Sequence, residues 1–333
     1  MKFSVRKNAY FVIALASIFF ATACKPNYPT DIASLPIEPT LSSDGKLLVV
    51  LFNSGQETPR LRIKRLDRDE PWFEVPAPKY TNSIRFGLTG YGLLLTHARP
   101  GPQGLSQLSR WDASQPATPS EILYEGTHVA FPVEIKSGQV IIRMCPQPPG
   151  GNACVRGSGT VQALVANGQA TLIKETSGLL YAQPNVVEGG FFWLEGAYFS
   201  KKRGDASRRE ITAFALPGSK VPEFDIARFD ATSERLQCDH KANRCLLNYL
   251  TDERVNGTTF VYGFKVFDGP NTCLLPDVKG WQDKFSVTPD GRSAVMSLSR
   301  VSEEPRHVVV MRFTPGQCEP TSIQHISFEK EKS

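Results

Sequence analysis

Apolar residues recur along this chain in short runs with a period near two, broken by turn-forming residues. Leu41-Ser42-Ser43-Asp44-Gly45-Lys46 leads into the apolar run Leu47–Leu51, and Val287-Thr288-Pro289-Asp290-Gly291-Arg292 leads into Ser293-Ala294-Val295-Met296. Asp-Gly between such runs is a strong hairpin signal, because Gly takes a positive φ at no steric cost. Weaker copies are Gly90-Tyr91-Gly92, Lys136-Ser137-Gly138, Glu188-Gly189-Gly190 and Lys241-Ala242-Asn243. The second turn residues fall at 45, 92, 138, 190, 243 and 291, so successive turns lie 46 to 53 residues apart. A unit of that length holds four short strands, the size of one propeller blade. The pattern predicts an all-β chain: a six-bladed β-propeller of four-stranded blades over residues 34–328. Its first blade is expected at 37–41, 46–52, 61–66 and 72–75, and its last at 285–287, 293–297, 307–313 and 323–328. After residue 24 no long run has the helical period, and 25 Pro and 26 Gly punctuate the chain as many short strands require.

The N-terminus departs from this pattern. Lys2, Arg6 and Lys7 precede an apolar run, Phe11 to Ala23, that is too short for a membrane-spanning helix of about 20 residues. A basic start, a short apolar core and small residues before a cut make a signal peptide, here residues 1–23. Ala21-Thr22-Ala23-Cys24 resembles the lipobox of bacterial lipoproteins, with Ala21 where Leu is more usual. The resemblance implies that Cys24 takes a diacylglycerol on its thiol and a further acyl chain, such as palmitate, on its freed amine. Several acyl chains give lasting attachment where one is marginal. Lys25 rather than Asp follows Cys24, which by the enteric rule directs such a protein to the outer membrane. Residues 24–33 then read as a lipidated Cys and short tether, and residues 329–333 as a charged tail. The expected location is lipid-anchored and periplasm-facing.

Charge changes once the signal is set aside. The formal net charge of +5 falls to +2 without Lys2, Arg6 and Lys7, so the basicity belongs largely to the leader and argues against a nucleic-acid partner.

Besides Cys24 there are six cysteines: Cys145, Cys154, Cys238, Cys245, Cys273 and Cys318. An even number in an exported chain points to disulfides. Closeness favours Cys145–Cys154 and Cys238–Cys245, which leaves Cys273–Cys318. A metal site is disfavoured by spacing, since there is no C-x-x-C and the five histidines are scattered; only Cys238-Asp239-His240 with Cys245 is vaguely ligand-like. No metal and no cofactor are expected.

The two best repeats, Leu-Ser-Ser-Asp44-Gly45-Lys-Leu and Val-Thr-Pro-Asp290-Gly291-Arg-Ser, resemble the S-P-D-G-[KR] repeats of TolB-like, WD40-like six-bladed propellers. The resemblance implies architecture over about residues 34–328 and says little about partner or activity.

No catalytic residue is singled out. G-x-S-x-G, H-E-x-x-H, P-loop and calcium-loop patterns are missing from the sequence, and Asp44 and Asp290 read as turn formers. Lys201, Lys202, Arg203, Arg208 and Arg209 cluster where a hairpin tip is expected, and Arg156 lies in the long Pro-rich loop 146–159. These six cations are the candidates for contact with a partner, an acidic protein patch or anionic head groups. The expectation is a non-enzymatic, lipid-anchored propeller that docks a periplasmic or envelope protein through loops on one face. A narrower alternative is an immunity lipoprotein that neutralises a secreted antibacterial effector such as a lipase. An alternative of another class is a hydrolase or lyase with its site in the central pocket.

Overall fold

The structure, a computed structural model, describes residues 36–52, 57–98, 105–127, 129–144, 160–176, 185–187, 190–195, 210–215, 233–241, 243–255, 259–276, 278, 281–299 and 307–328. All regular structure among them is antiparallel sheet. Sheet A is β1 (Pro36–Leu41), β2 (Leu47–Phe52), β3 (Arg60–Arg65) and β4 (Phe73–Pro76). Sheet B is β5 (Thr81–Phe86), β6 (Gly92–Ala98), β7 (Leu105–Asp112) and β8 (Glu121–Thr127). Sheet C is β9 (Val129–Lys136), β10 (Gln139–Met144), β11 (Thr160–Ala166) and β12 (Gln169–Thr176). Sheet D is β13 (Asn185–Val187), β14 (Gly190–Glu195) and β15 (Glu210–Ala215). Sheet E is β16 (Ser233–Cys238), β17 (Arg244–Val255), β18 (Thr259–Asp268) and β19 (Asn271–Leu274). Sheet F is β20 (Trp281–Val287), β21 (Ser293–Ser299), β22 (His307–Phe313) and β23 (Pro320–Ser327).

Each sheet is a meander, its strands paired in sequence order, and the first strands of successive sheets touch around a closed ring from β1 through β5, β9, β13, β16 and β20 back to β1. The chain is therefore a β-propeller. Sheets A, B, C, E and F are four-stranded blades, so the expected six four-stranded blades are corrected to five. Sheet D has three strands among the described residues. In sheet A the strands fall within one residue of the expected limits.

The core follows from the period-two rule applied to strands covered on both sides. Every residue of β2 is buried. Its even residues Leu48, Val50 and Phe52 cluster with Val295, Val308 and Val310 of sheet F, while Leu47, Val49 and Leu51 cluster with Ile84, Phe86, Leu93 and Leu95 of sheet B. Successive side chains point to opposite faces, so a blade between two neighbours needs an unbroken apolar strand. β6 repeats the arrangement: Leu93 and Leu95 face sheet A, and Leu94 joins Leu108, Val140 and Ile142 on the side of sheet C. Each such side chain contributes about 1.5–3 kcal/mol by leaving water. Burial fades outward, and β4, β19 and β23 are largely exposed.

The Asp-Gly turns connect first to second strands. Asp44 accepts from the Ser42 hydroxyl at 2.7 Å and the Lys46 N–H at 3.0 Å, and Asp290 accepts from Thr288 and Arg292 at the same distances. Gly45 and Gly291 follow at φ +67° and +69°. In sheet E, Asp239 stands where Ser42 and Thr288 do, accepting from the N–H of Asn243 at 2.8 Å and of Arg244 at 3.2 Å.

Candidate functional site

The first strands line the propeller axis. Near their C-terminal ends they enclose a small cavity of about 30 Å³, bounded by residues of β1, β5, β9 and β20 and by Cys238 and His240 at the end of β16. Its polar lining includes Thr40, Arg85, Glu134 and Ser286; Phe86, Leu88, Val133 and Val287 supply apolar walls. At that size it has room for two or three waters.

Most of the charge around this axis is engaged in joining blades. Glu38 of β1 is buried and accepts from Lys284 Nζ of β20 at 2.7 Å and from Ser83 Oγ of β5 at 3.0 Å. One carboxylate thus ties sheets F, A and B. Glu134 of β9 is also buried; it pairs with the Arg110 guanidinium of β7 and accepts from the Leu88 N–H at 2.8 Å, joining sheets B and C. Buried charges persist only when paired in this way.

Arg85 differs. It lies between Ile84 and Phe86 on β5, and no hydrogen bond or ion pair joins it to another described residue. Burial pushes its guanidinium down to about 10, and the nearby Glu38 charge offsets part of that shift. The surface it does expose faces the cavity. At neutral pH it remains a cation.

Sequence reasoning missed Glu38, Arg85, Glu134 and Lys284. A signal existed: each is a charged residue inside an otherwise β-forming first strand, as in Ser83-Ile84-Arg85-Phe86, Val133-Glu134-Ile135 and Lys284-Phe285-Ser286-Val287. Of the residues that were singled out, Cys24, Cys145, Cys154, Arg156, Lys201, Lys202, Arg203, Arg208 and Arg209 lie outside the described residues. Cys238 and Cys245 form a disulfide, and so do Cys273 and Cys318. The first bridge consumes both thiols of the vaguely ligand-like cluster. Among the described residues no group of three or more His, Cys, Asp or Glu is placed to hold a metal ion, and no helix is long and apolar enough to cross a membrane.

No protein-family profile matches the chain, and no curated protein matches it in sequence. Solved structures do match. TolB from Acinetobacter baumannii superposes with a TM-score of 0.53 at 10% identity, over 94% of this chain and 69% of TolB. The β-propeller domain of the Trilobed protease from Pyrococcus furiosus gives 0.51 at 11% identity, over 89% and 86% of the two chains. Pyrococcus horikoshii acylaminoacyl peptidase gives 0.51 at 9% identity, over 89% of this chain and 46% of that enzyme. The likeness is one of fold: a propeller with TolB-like and peptidase-propeller neighbours.

Proposed function

We propose that this chain is an exported, lipid-anchored, non-enzymatic binding propeller that docks a periplasmic or envelope protein through loops on one face. The observation that carries this reading is the use made of the axial carboxylates. Glu38 and Glu134 are each fixed between neighbouring blades by a cation and further hydrogen bonds. That engages them in holding the ring together rather than in acid–base work on a substrate, and recognition passes to the loops that a rigid scaffold displays. The anchor is assigned to Cys24, held close to an outer-membrane surface by the short tether 24–33. Lys201, Lys202, Arg203, Arg208, Arg209 and Arg156 are assigned to the partner-facing surface.

Two measurements test the reading. Growth with an alkyne-tagged palmitate should label the chain, and Cys24→Ser should abolish the label; an unlabelled wild-type chain removes the anchor. Cross-linking in intact envelopes should capture one recurrent protein. Replacing the five basic residues of the 201–209 cluster by Ser should reduce that capture severalfold at low salt. Undiminished capture removes the basic cluster from the interface. A captured secreted toxin would narrow the role to immunity, and failure to capture any protein with the fold intact would defeat the docking reading.

A further inference from the structure

Arg85 is a half-buried cation at the axis of the ring that makes no hydrogen bond or ion pair to another described residue. Its neighbours are already committed: among the described residues, Lys284 balances Glu38 and Arg110 balances Glu134. One positive charge is left over, and it borders the cavity. The guanidinium is half-buried, and with no acceptor from the described residues its N–H donors stay available to a group that enters the cavity. An arginine in such a place is matched by a group with two coplanar acceptor oxygens, which its fork meets with two parallel hydrogen bonds.

We propose that the axial cavity binds a small monocarboxylate, its carboxylate held by Arg85 and its short apolar body against Phe86, Leu88, Val133 and Val287. Three features select this class. The surplus charge is single, which suits a monoanion over a dianion such as sulfate. The cavity holds the space of only two or three waters, which suits an acid of a few carbons. The lining mixes the apolar side chains of Phe86, Leu88, Val133 and Val287 with polar points that include the Ser286 and Thr40 hydroxyls, which suits a short amphiphilic acid. The site lies on the axis, and the proposal is independent of the partner-docking reading.

Propionate is the probe. Titrated into the purified chain in low-chloride buffer and followed by calorimetry or ligand-observed NMR, it should bind saturably with a Kd of about 1 mM or tighter. Propionamide keeps the shape without the charge and should show no saturable binding; sulfate should bind at least about tenfold more weakly than propionate. Arg85→Lys retains the charge and loses the fork, and should weaken propionate binding by about tenfold or more. Arg85→Gln should abolish binding, with circular dichroism reporting whether the fold is kept. No saturable propionate binding at about twenty times the expected Kd overturns the proposal. Equal binding of propionamide, tighter binding of sulfate, or unchanged binding in Arg85→Lys would overturn it as well, and none of these needs the Gln variant to fold.

Discussion

Two seams flank sheet F, and they are built differently. Between sheets E and F, Cys273 of β19 is bonded to Cys318, just before β23. Beside that bridge the buried Arg244 guanidinium reaches four groups: the Gly291 carbonyl, the carbonyls of Thr314 and Gln317 at 2.9 Å each, and the Asp268 carboxylate. Between sheets F and A no disulfide is found among the described residues. Arg312, only partly buried, donates to the Gly45 carbonyl; Arg62 reaches the Phe328 carbonyl at 3.2 Å, and the Trp72 indole N–H reaches Ser327 at 3.1 Å. Phe52 meets Phe328 edge-on with centroids 5.1 Å apart. Both seams grip the same atom of the repeat, the carbonyl of the turn glycine. One adds a buried charge network and a covalent staple away from the axis; the other has the axial Lys284–Glu38 pair and, farther out, single donors and ring contacts spread along the blade.

The sharpest way to break this comparison is to remove the two arginines in turn. Arg244→Ala leaves Asp268 buried and unpaired and should lower stability by about 3–5 kcal/mol. Arg312→Ala should cost about 1–2 kcal/mol. Urea unfolding of both variants checks the ranking, and equal losses would show that the seams are equivalent.

Next in size is the staple. Replacing Cys273 and Cys318 by Ser should cost about 2–4 kcal/mol, read as a lower thermal midpoint in the variant, with a larger loss on reducing the wild type, where the Cys238–Cys245 bridge opens as well.

The turn glycines come third. Both have positive φ, and an added Cβ would meet Arg312 at position 45 and Asp239 at position 291. At position 45 Arg312 is long and can swing aside, and the Ser293 hydroxyl, 2.8 Å from the added Cβ, can turn to another rotamer; Asp239 is short and tied to the Asn243 and Arg244 amides. Gly291→Ala should therefore cost about 2–3 kcal/mol and Gly45→Ala about 1–2 kcal/mol, measured by the same urea titrations.

Smallest is the acid response of the two turns. Burial raises the Asp239 carboxyl above its usual range, only partly opposed by the Arg244 and Asn243 amides. Burial also acts on Asp44, but there the Ser42 hydroxyl, the Lys46 amide and the Tyr91 hydroxyl outweigh it and hold the carboxyl low. The signs are opposite. Asp44 stabilises the fold above its unfolded pKa, and this is lost as pH falls through the lowered folded value. Asp239 is a penalty at neutral pH that is relieved as pH falls through its raised folded value. Unfolding measured from neutrality to below about pH 4 should show Asp44→Asn flattening the acid loss and Asp239→Asn removing the acid gain.

Much of this fold can be read from local chemistry. The β2 run and the Asp44-Gly45 and Asp290-Gly291 turns carry their own instructions, since strand period and positive φ are decided within a few residues. Sheet D, three-stranded among the described residues, escapes such reading, because a turn signal at Gly189-Gly190 announces a first hairpin and says nothing about how many strands follow it. The axial residues escape for another reason. Glu38 finds Lys284 and Ser83 only when sheets F, A and B meet, and in one dimension a lone charge in a strand looks like solvent-facing polarity. Arg244 hides in the same way: Arg312, its counterpart at the other seam, sits on a third strand instead of a second, so no repeat alignment pairs them.

Among the described residues the ring closes without a shared strand. Sheets A and F are each complete meanders, and they meet through side chains and three donors to backbone carbonyls. Were this joint to part, no hydrogen-bonded ladder would be torn and no new strand edge exposed among the described residues. What would come apart is a pair of complementary apolar faces, Leu48, Val50 and Phe52 on one side and Val295, Val308 and Val310 on the other. The propeller is in this sense a clasped band rather than a woven one, and its clasp lies where the first and last blades of the chain meet.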